Sequence, residues 1–382
     1  MNKYFVILTG AKNNAGDFLI KYRAKELFQS IRPDRQIIDF NAFEQIDKNK
    51  LNIINSSKAL ILMGGPSLQK NMYPGIYKLI SDLGKIKTAI TTMGIGWKSI
   101  SGNWNNTHNY ELNKTTIKLL NRIKEDGLTS SVRDYHTLNV LLNRGYDNFL
   151  MTGCPAYYNI ENINKNFEYP TEIKKISFSL GVSFLHSRTM ERQMKNLILL
   201  LRKEFVNQNF EVVFHHTLNK EKFLKSGSGK IKHNKKYNDF SNWLRINNIS
   251  YVDISGDAEK LINYYSQIDL HIGYRLHAHI FMNSIKRLSI LISEDGRAKA
   301  CRSVTGSIVI DGYNYYHDSL FDNLKNKIWF GNDNYDANMF VEKDIINNLN
   351  YLKKTRGKHS IQSHKAISNN FLIMKEFLKK LP

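Results

Sequence analysis

Arg275 and His277 are the first residues in this chain on which chemistry can be built. They stand in the run IDLHIGYRLHAHIFMNS, from Ile268 to Ser284. Ile268 to Tyr274 is apolar and β-branched enough to read as a buried strand, and Leu276 to Ser284 reads as a short buried helix. The two residues therefore fall at a strand–helix joint. There the helix offers unpaired N–H groups and the positive end of its dipole to an anion. A guanidinium matches phosphate or carboxylate oxygens as a planar fork. An imidazole can bind the same anion and move a proton near neutral pH. The plainer reading pairs Arg275 with a carboxylate and leaves His277 and His279 as hydrogen-bonded helix histidines. That reading is preferred for His279. For Arg275 and His277 the functional one is preferred, because an unpaired charge is costly to bury.

Other candidates share the same edge, the carboxyl ends of predicted strands, where open α/β sheets bind ligands. Asn14, Gly16 and Asp17 follow a strand over Tyr4–Thr9, and Asp17 is also a candidate helix cap. Gly64 and Gly65 close a strand over Ala59–Met63 in the turn MGGPSL, where glycine permits a tight bend or close approach to a ligand. Thr88–Met93 runs into a second glycine-bearing turn, GIGW. Arg133 and Asp134 end a strand over Leu128–Val132. Their plainer reading is a salt bridge, with Asp134 capping the next helix. Glu294 and Lys299 follow a strand over Leu288–Ile292, in a charged run that also holds Asp295 and Arg297.

Strands and helices alternate along the whole chain, which implies parallel, doubly wound sheets. A helix is expected over Met72–Leu83 and a polar linker over Asn159–Pro170. Two Rossmann-like units follow: residues 1–160, the expected acceptor side, and residues 171–340, the expected anionic-donor side. The segment Lys220–Lys236 holds seven lysines and one acid and reads as a mobile basic loop. Its GSGK lacks phosphate-loop spacing. The basic segment 341–382 is expected to be helical, packing back on the first unit or lying on anionic lipid.

The chain has 382 residues, 55 Lys and Arg against 34 Asp and Glu, and a net charge of +21. That length favours two cores, and that excess favours anionic partners. The basic residues are scattered and carry no nucleic-acid motif, so a small phosphorylated ligand or a membrane surface is expected instead of nucleic acid. Two distant cysteines, Cys154 and Cys301, fit a reducing cytoplasm better than a disulfide scaffold. The N-terminus enters a strand pattern without signal-peptide features. The expected location is the cytoplasm, with peripheral contact at the inner face of the cell membrane.

Four of these stretches, N-A-G-D at Asn14–Asp17, G-G-P at Gly64–Pro66, S-V-R-D at Ser131–Asp134 and R-L-H at Arg275–His277, occur in one order at strand ends. Together they resemble the polysaccharide pyruvyl transferase family. The resemblance implies a GT-B-type fold, two Rossmann-like domains facing a cleft. It implies transfer of pyruvate from phosphoenolpyruvate to a sugar of a bacterial surface polysaccharide, or its lipid-linked oligosaccharide precursor, as a ketal. No cofactor or metal is then expected. Arg275, with Arg133 or Lys299, would hold the two anionic groups of the donor, helped by Asn14, Gly16, Gly64, Gly65 and Glu294. His277 would be the acid, and Asp17 or Asp134 the base. The alternative is a nucleotide-sugar glycosyltransferase of the same architecture, with Arg275 and Lys299 on the diphosphate.

Overall fold

The computed structural model describes residues 4–10, 14–225, 231–316 and 333–382. Two six-stranded parallel sheets carry the chain. The first is built from β1 Tyr4–Thr9, β2 Gln36–Asn41, β3 Leu60–Leu68, β4 Ile90–Trp97, β5 Ser130–Val132 and β6 Phe149–Met151. Its order is β2-β1-β3-β4-β5-β6. The second is built from β7 Lys175–Ser179, β8 Asn209–Phe214, β9 Ser250–Asp253, β10 Leu270–Gly273, β11 Leu288–Ser293 and β12 Val309–Asp311, in the order β12-β11-β10-β7-β8-β9. The inner strands are near-continuous apolar runs, as strands covered by helices on both faces must be. Ile61, Leu62, Ile290, Leu291 and Ile292 are all inaccessible to solvent.

Each sheet has one place where the winding reverses. In the first it lies between β1 and β3, and in the second between β7 and β10. Two adjacent strands there send their following helices to opposite faces, which opens a crevice at their carboxyl ends. The loops beyond those ends meet across the molecule. Gly296 N donates to Ser99 O at 3.0 Å, and the Tyr313 hydroxyl donates to Ser101 O at 3.2 Å. Helix α1, Ala15–Ile31, follows β1 and packs against helices Ala258–Tyr265 and Leu276–Ser284 of the second half. One apolar cluster runs through this contact, from Leu19 and Phe28 to Tyr265 and Phe281. The long final helix, Lys358–Lys379, packs on α1, adding Met374, Phe377 and Leu378 to the same cluster. Arg32 fastens its end by donating to the carbonyls of Leu378 at 3.2 Å and Leu381 at 2.6 Å.

Several expectations are corrected. The glycine stretches read as turns after Met63 and Met93 are strand: β3 runs on to Leu68 and β4 to Trp97. Left-handed φ values at Gly65 (77°) and Gly94 (63°) let the ladder continue through an irregular register. No helix forms over 72–83, where Pro74 and Gly75 interrupt the pattern; Met72, Tyr73, Tyr77 and Leu79 are buried instead as irregular core. The basic segment is not a loop at its described ends. Lys220–Lys225 is helical, and a helix begins at Ile231 and runs to Ile246. It buries Tyr237, Phe240 and Leu244, an apolar stripe at helical spacing. Residues 226–230 lie outside the described residues. No helix among the described residues is long and apolar enough to cross a membrane.

Candidate functional site

Asn14 caps α1: its side-chain oxygen accepts from Gly16 N at 3.2 Å. Its Nδ2 donates to Asp17 Oδ2 at 3.3 Å. The cap is therefore Asn14 and not Asp17, whose carboxylate stands in the first turn of the helix. Gly16 has a steric duty, since a Cβ there would overlap the ring of His277. The two halves approach this closely because residue 16 has no side chain.

Helix α2 is Lys48–Asn55, α3 Lys114–Glu125 and α4 Tyr135–Leu142. Asp134 caps α4: its Oδ1 accepts from Thr137 N and from Thr137 Oγ1, each at 2.7 Å. Its Oδ2 lies 3.5 Å from Arg133 Nε. Arg133 is 5% exposed, yet both terminal nitrogens of its guanidinium are buried without a hydrogen-bond partner among the described residues. Gly96 makes room for it, as a Cβ there would overlap its Nε. Both plain readings of this pair, ion pair and cap, are present in the structure, but they use one edge of Arg133 and leave its fork empty.

Arg275 leaves β10 at the reversal of the second sheet. Its N–H donates to Ser179 Oγ at 3.0 Å, and its Nε to Leu180 O at 2.7 Å. His277 is 5% exposed, and its Nε2 has no partner among the described residues. His279 differs: its Nδ1 meets Ser289 Oγ at 2.7 Å and its Nε2 meets Ser307 Oγ at 2.8 Å. A ring saturated in this way is structural.

Glu294 is held by backbone. Its Oε2 accepts from Val182 N at 2.6 Å and Ser183 N at 2.8 Å. The Lys299 ammonium lies 4.1 Å from the centre of the Tyr313 ring, and the charges acting on it are Asp311 and Arg302. The structure does not bring Lys299 to the groups around His277. Arg297 is there instead. It pairs with Asp295 at 2.5 Å, while Asp295 caps the helix Gly296–Thr305. Arg297 stands in the same charged run as Lys299; the sequence alone does not show which of the two turns inward.

Three guanidiniums thus converge on one imidazole. Burial first, then Arg133, Arg297 and Arg275, push His277 well below the usual histidine range, which holds it neutral. Burial lifts Asp17 to about 6, against the opposing pull of Arg297, Asn14 and Arg133. Burial also raises Glu294, opposed mainly by Arg275. Asp295 answers Arg297 and Asp134 meets one edge of Arg133, but the terminal nitrogens of Arg133 and Nε2 of His277 are buried without partners among the described residues. Buried N–H groups left unpaired cost about 1–3 kcal/mol each, and such a cost is expected where a ligand completes the bonding. Gly64 and Gly65 do not join the charged cluster; with Asp17 they line a separate cavity in the first half.

No curated protein matches the chain. Among solved structures, a putative UDP-N-acetylglucosamine 2-epimerase from Listeria monocytogenes matches with a TM-score of 0.50 at 11% identity, covering 97% of this chain and 95% of that one. UDP-GlcNAc 2-epimerase from Neisseria meningitidis matches with a TM-score of 0.49 at 11% identity, covering 98% of each chain. At 11% identity the Listeria likeness shows the fold alone, and that fold is GT-B-type. The model of the polysaccharide pyruvyl transferase family matches residues 14–281. That span begins at the Asn14 cap and takes in Arg133, Arg275 and His277, with Arg297 beyond its end, and the chain belongs to the polysaccharide pyruvyl transferase family.

Proposed function

We propose that the protein transfers the enolpyruvyl unit of phosphoenolpyruvate onto two hydroxyls of a sugar, forming a cyclic ketal and releasing phosphate. The acceptor is a surface polysaccharide or its lipid-linked precursor. The observation that carries this reading is the buried fork of Arg133, unpaired among the described residues like the Nε2 of His277 on which it acts. The donor has a phosphate and a carboxylate, and Arg133, Arg275 and Arg297 supply three guanidiniums for them.

Burial and the three guanidiniums keep His277 neutral. A donor bearing several negative charges would reverse that field and raise its affinity for a proton. His277 would then deliver that proton to the donor's methylene carbon, leaving positive charge at the adjacent carbon. Asp17 is the better base: it is already poised at about 6, whereas Asp134 Oδ1 is engaged by Thr137. One sugar hydroxyl attacks and passes its proton to Asp17. Phosphate leaves with the C–O bond electrons, and the second hydroxyl closes the ring. The methylene has become a methyl, and the remaining proton goes to phosphate. No nucleotide or redox partner is needed for this balance.

The test is to incubate the protein with phosphoenolpyruvate and a panel of sugars, following phosphate release and acceptor mass. A product heavier by one pyruvate less one water is expected. Glycosyl transfer from a nucleotide-sugar panel, with no product from phosphoenolpyruvate, would overturn it in favour of the glycosyltransferase reading.

A further inference from the structure

Helix Leu276–Ser284 carries His277 in its first turn, and a lysine closes its far end. Lys286 N donates to Asn283 O at 3.1 Å and Arg287 N to Met282 O at 2.8 Å, the paired bonds of a left-handed helix stop. Lys286 takes the left-handed position, with φ at 60°, where glycine ordinarily stands because it has no Cβ to clash. The other two non-glycine residues with positive φ among the described residues, Asn248 and Arg356, are exposed. Lys286 is 8% exposed, and its ammonium makes no ion pair or hydrogen bond among the described residues. Burial lowers its pKa from the usual lysine value, and no carboxylate acts against that shift. It acts in turn on His364 of the final helix, whose two ring nitrogens are both buried without partners among the described residues. Complementing the dipole at a helix end needs only a solvated lysine, so that role does not explain the burial. A strained backbone and a buried, unanswered charge on one residue mark a position held for a ligand.

Lys286 lines a polar cavity of about 710 Å³ between the linker and the amino ends of β10 and β11. That edge is opposite to the one bearing Arg275 and His277. Five charged residues line the cavity: Lys165, Glu168, Asp269, Lys286 and Arg287. Asp269 is fully engaged. Its Oδ1 pairs with Arg287 at 3.2 Å, and its Oδ2 accepts from Lys174 N and Lys175 N at 3.0 Å each. Lys165 and Glu168 are exposed and opposite in sign, and water screens both. The ammonium of Lys286 is the charge left to answer. We propose that this cavity is a second anion site, in which a small phosphate or phosphomonoester sits on Lys286, with Lys165 of the linker as its outer cation. A lysine ammonium binds phosphate as a point charge, and the volume lies within the range of small-molecule sites. The bound anion would tie the segment joining the two halves to the helix that begins beside the catalytic cluster. The site stands independently of the reaction proposed above.

The experiment is calorimetric titration of the full chain with inorganic phosphate and with glycerol phosphate, in chloride buffer of matched ionic strength. Wild type should show a site that Lys286→Gly weakens at least tenfold and that Arg133→Met leaves within twofold. Tighter binding of glycerol phosphate would identify a monoester as the ligand, and the reverse order free phosphate. Glycine suits the left-handed backbone, so Lys286→Gly without phosphate should melt at or above the wild-type temperature. Lys286→Asn, which also tolerates that backbone, should repeat both results. Neither probe binding to wild type, a single site abolished by Arg133→Met, or binding undiminished in both Lys286 variants would overturn the proposal. So would a melting temperature lowered by more than about 5 °C with phosphate binding intact, which would make Lys286 a purely structural lysine.

Discussion

Replacing Arg133 by Met separates a binding role from a structural one, because the two predict opposite signs. In the folded protein Arg133 is 5% exposed, with two terminal nitrogens unpaired and a single 3.5 Å ion pair to Asp134. Removing the fork relieves two unmet donors, each costing about 1–3 kcal/mol. It forfeits the Asp134 pair, but Asp134 keeps both bonds from Thr137 at the start of α4, so that loss lies at the low end of the roughly 3–5 kcal/mol that breaking a buried pair costs. Met fills much of the same volume. The terms nearly cancel, and the melting temperature should stay within about 4 °C of wild type. Donor binding should suffer far more. Two charge-assisted bonds at about 1.5–3 kcal/mol each amount to a loss of at least a hundredfold in Kd. Calorimetric titration with phosphoenolpyruvate, beside differential scanning calorimetry of the empty protein, reads both quantities. A fall of more than 10 °C with donor affinity intact would show that Arg133 holds the fold, and the proposed site would lose its central member.

Three further outcomes follow from neighbouring geometry. Gly16→Ala adds a good helix former but drives a methyl into the buried His277 ring, an overpacking cost of about 1–3 kcal/mol; the melting temperature should fall by several degrees and kcat at least tenfold. Asp17 is held up at about 6, so as a base it loses activity as pH falls through about 6, and Asp17→Asn should abolish that limb of the pH–rate profile. The same raised value favours the folded state below the ordinary carboxylate range and loses that benefit as pH rises through about 6. Asp17→Asn should therefore raise the melting temperature at pH 8 and not at pH 4. Lys299→Ala should leave the phosphoenolpyruvate KM within threefold of wild type, since its ammonium sits on Tyr313, whereas Arg297→Ala should raise it at least tenfold.

The sequence by itself determined the two wound sheets, because buried parallel strands require continuous apolar runs, and those runs can be read directly. It also set which residues stand at strand ends, hence Asn14, Asp17, Arg133, Arg275 and His277 on the ligand edge. Local chemistry was legible where it depends on neighbours in the chain, as in Asp134 capping α4. What depends on distant neighbours was not. One local signal was outweighed as well, since Pro74 and Gly75 break an apolar pattern that otherwise suits a helix, and Tyr77 goes to the core. Lys299 and Arg297 are two residues apart, and only the structure shows that Arg297 turns to Asp295 and the cluster while Lys299 lies on Tyr313. The empty fork of Arg133 and the fit of Gly16 to His277 arise between residues far apart in the chain. Whether a buried charge is paired is settled by what the other half of the molecule brings against it, and no local pattern records that.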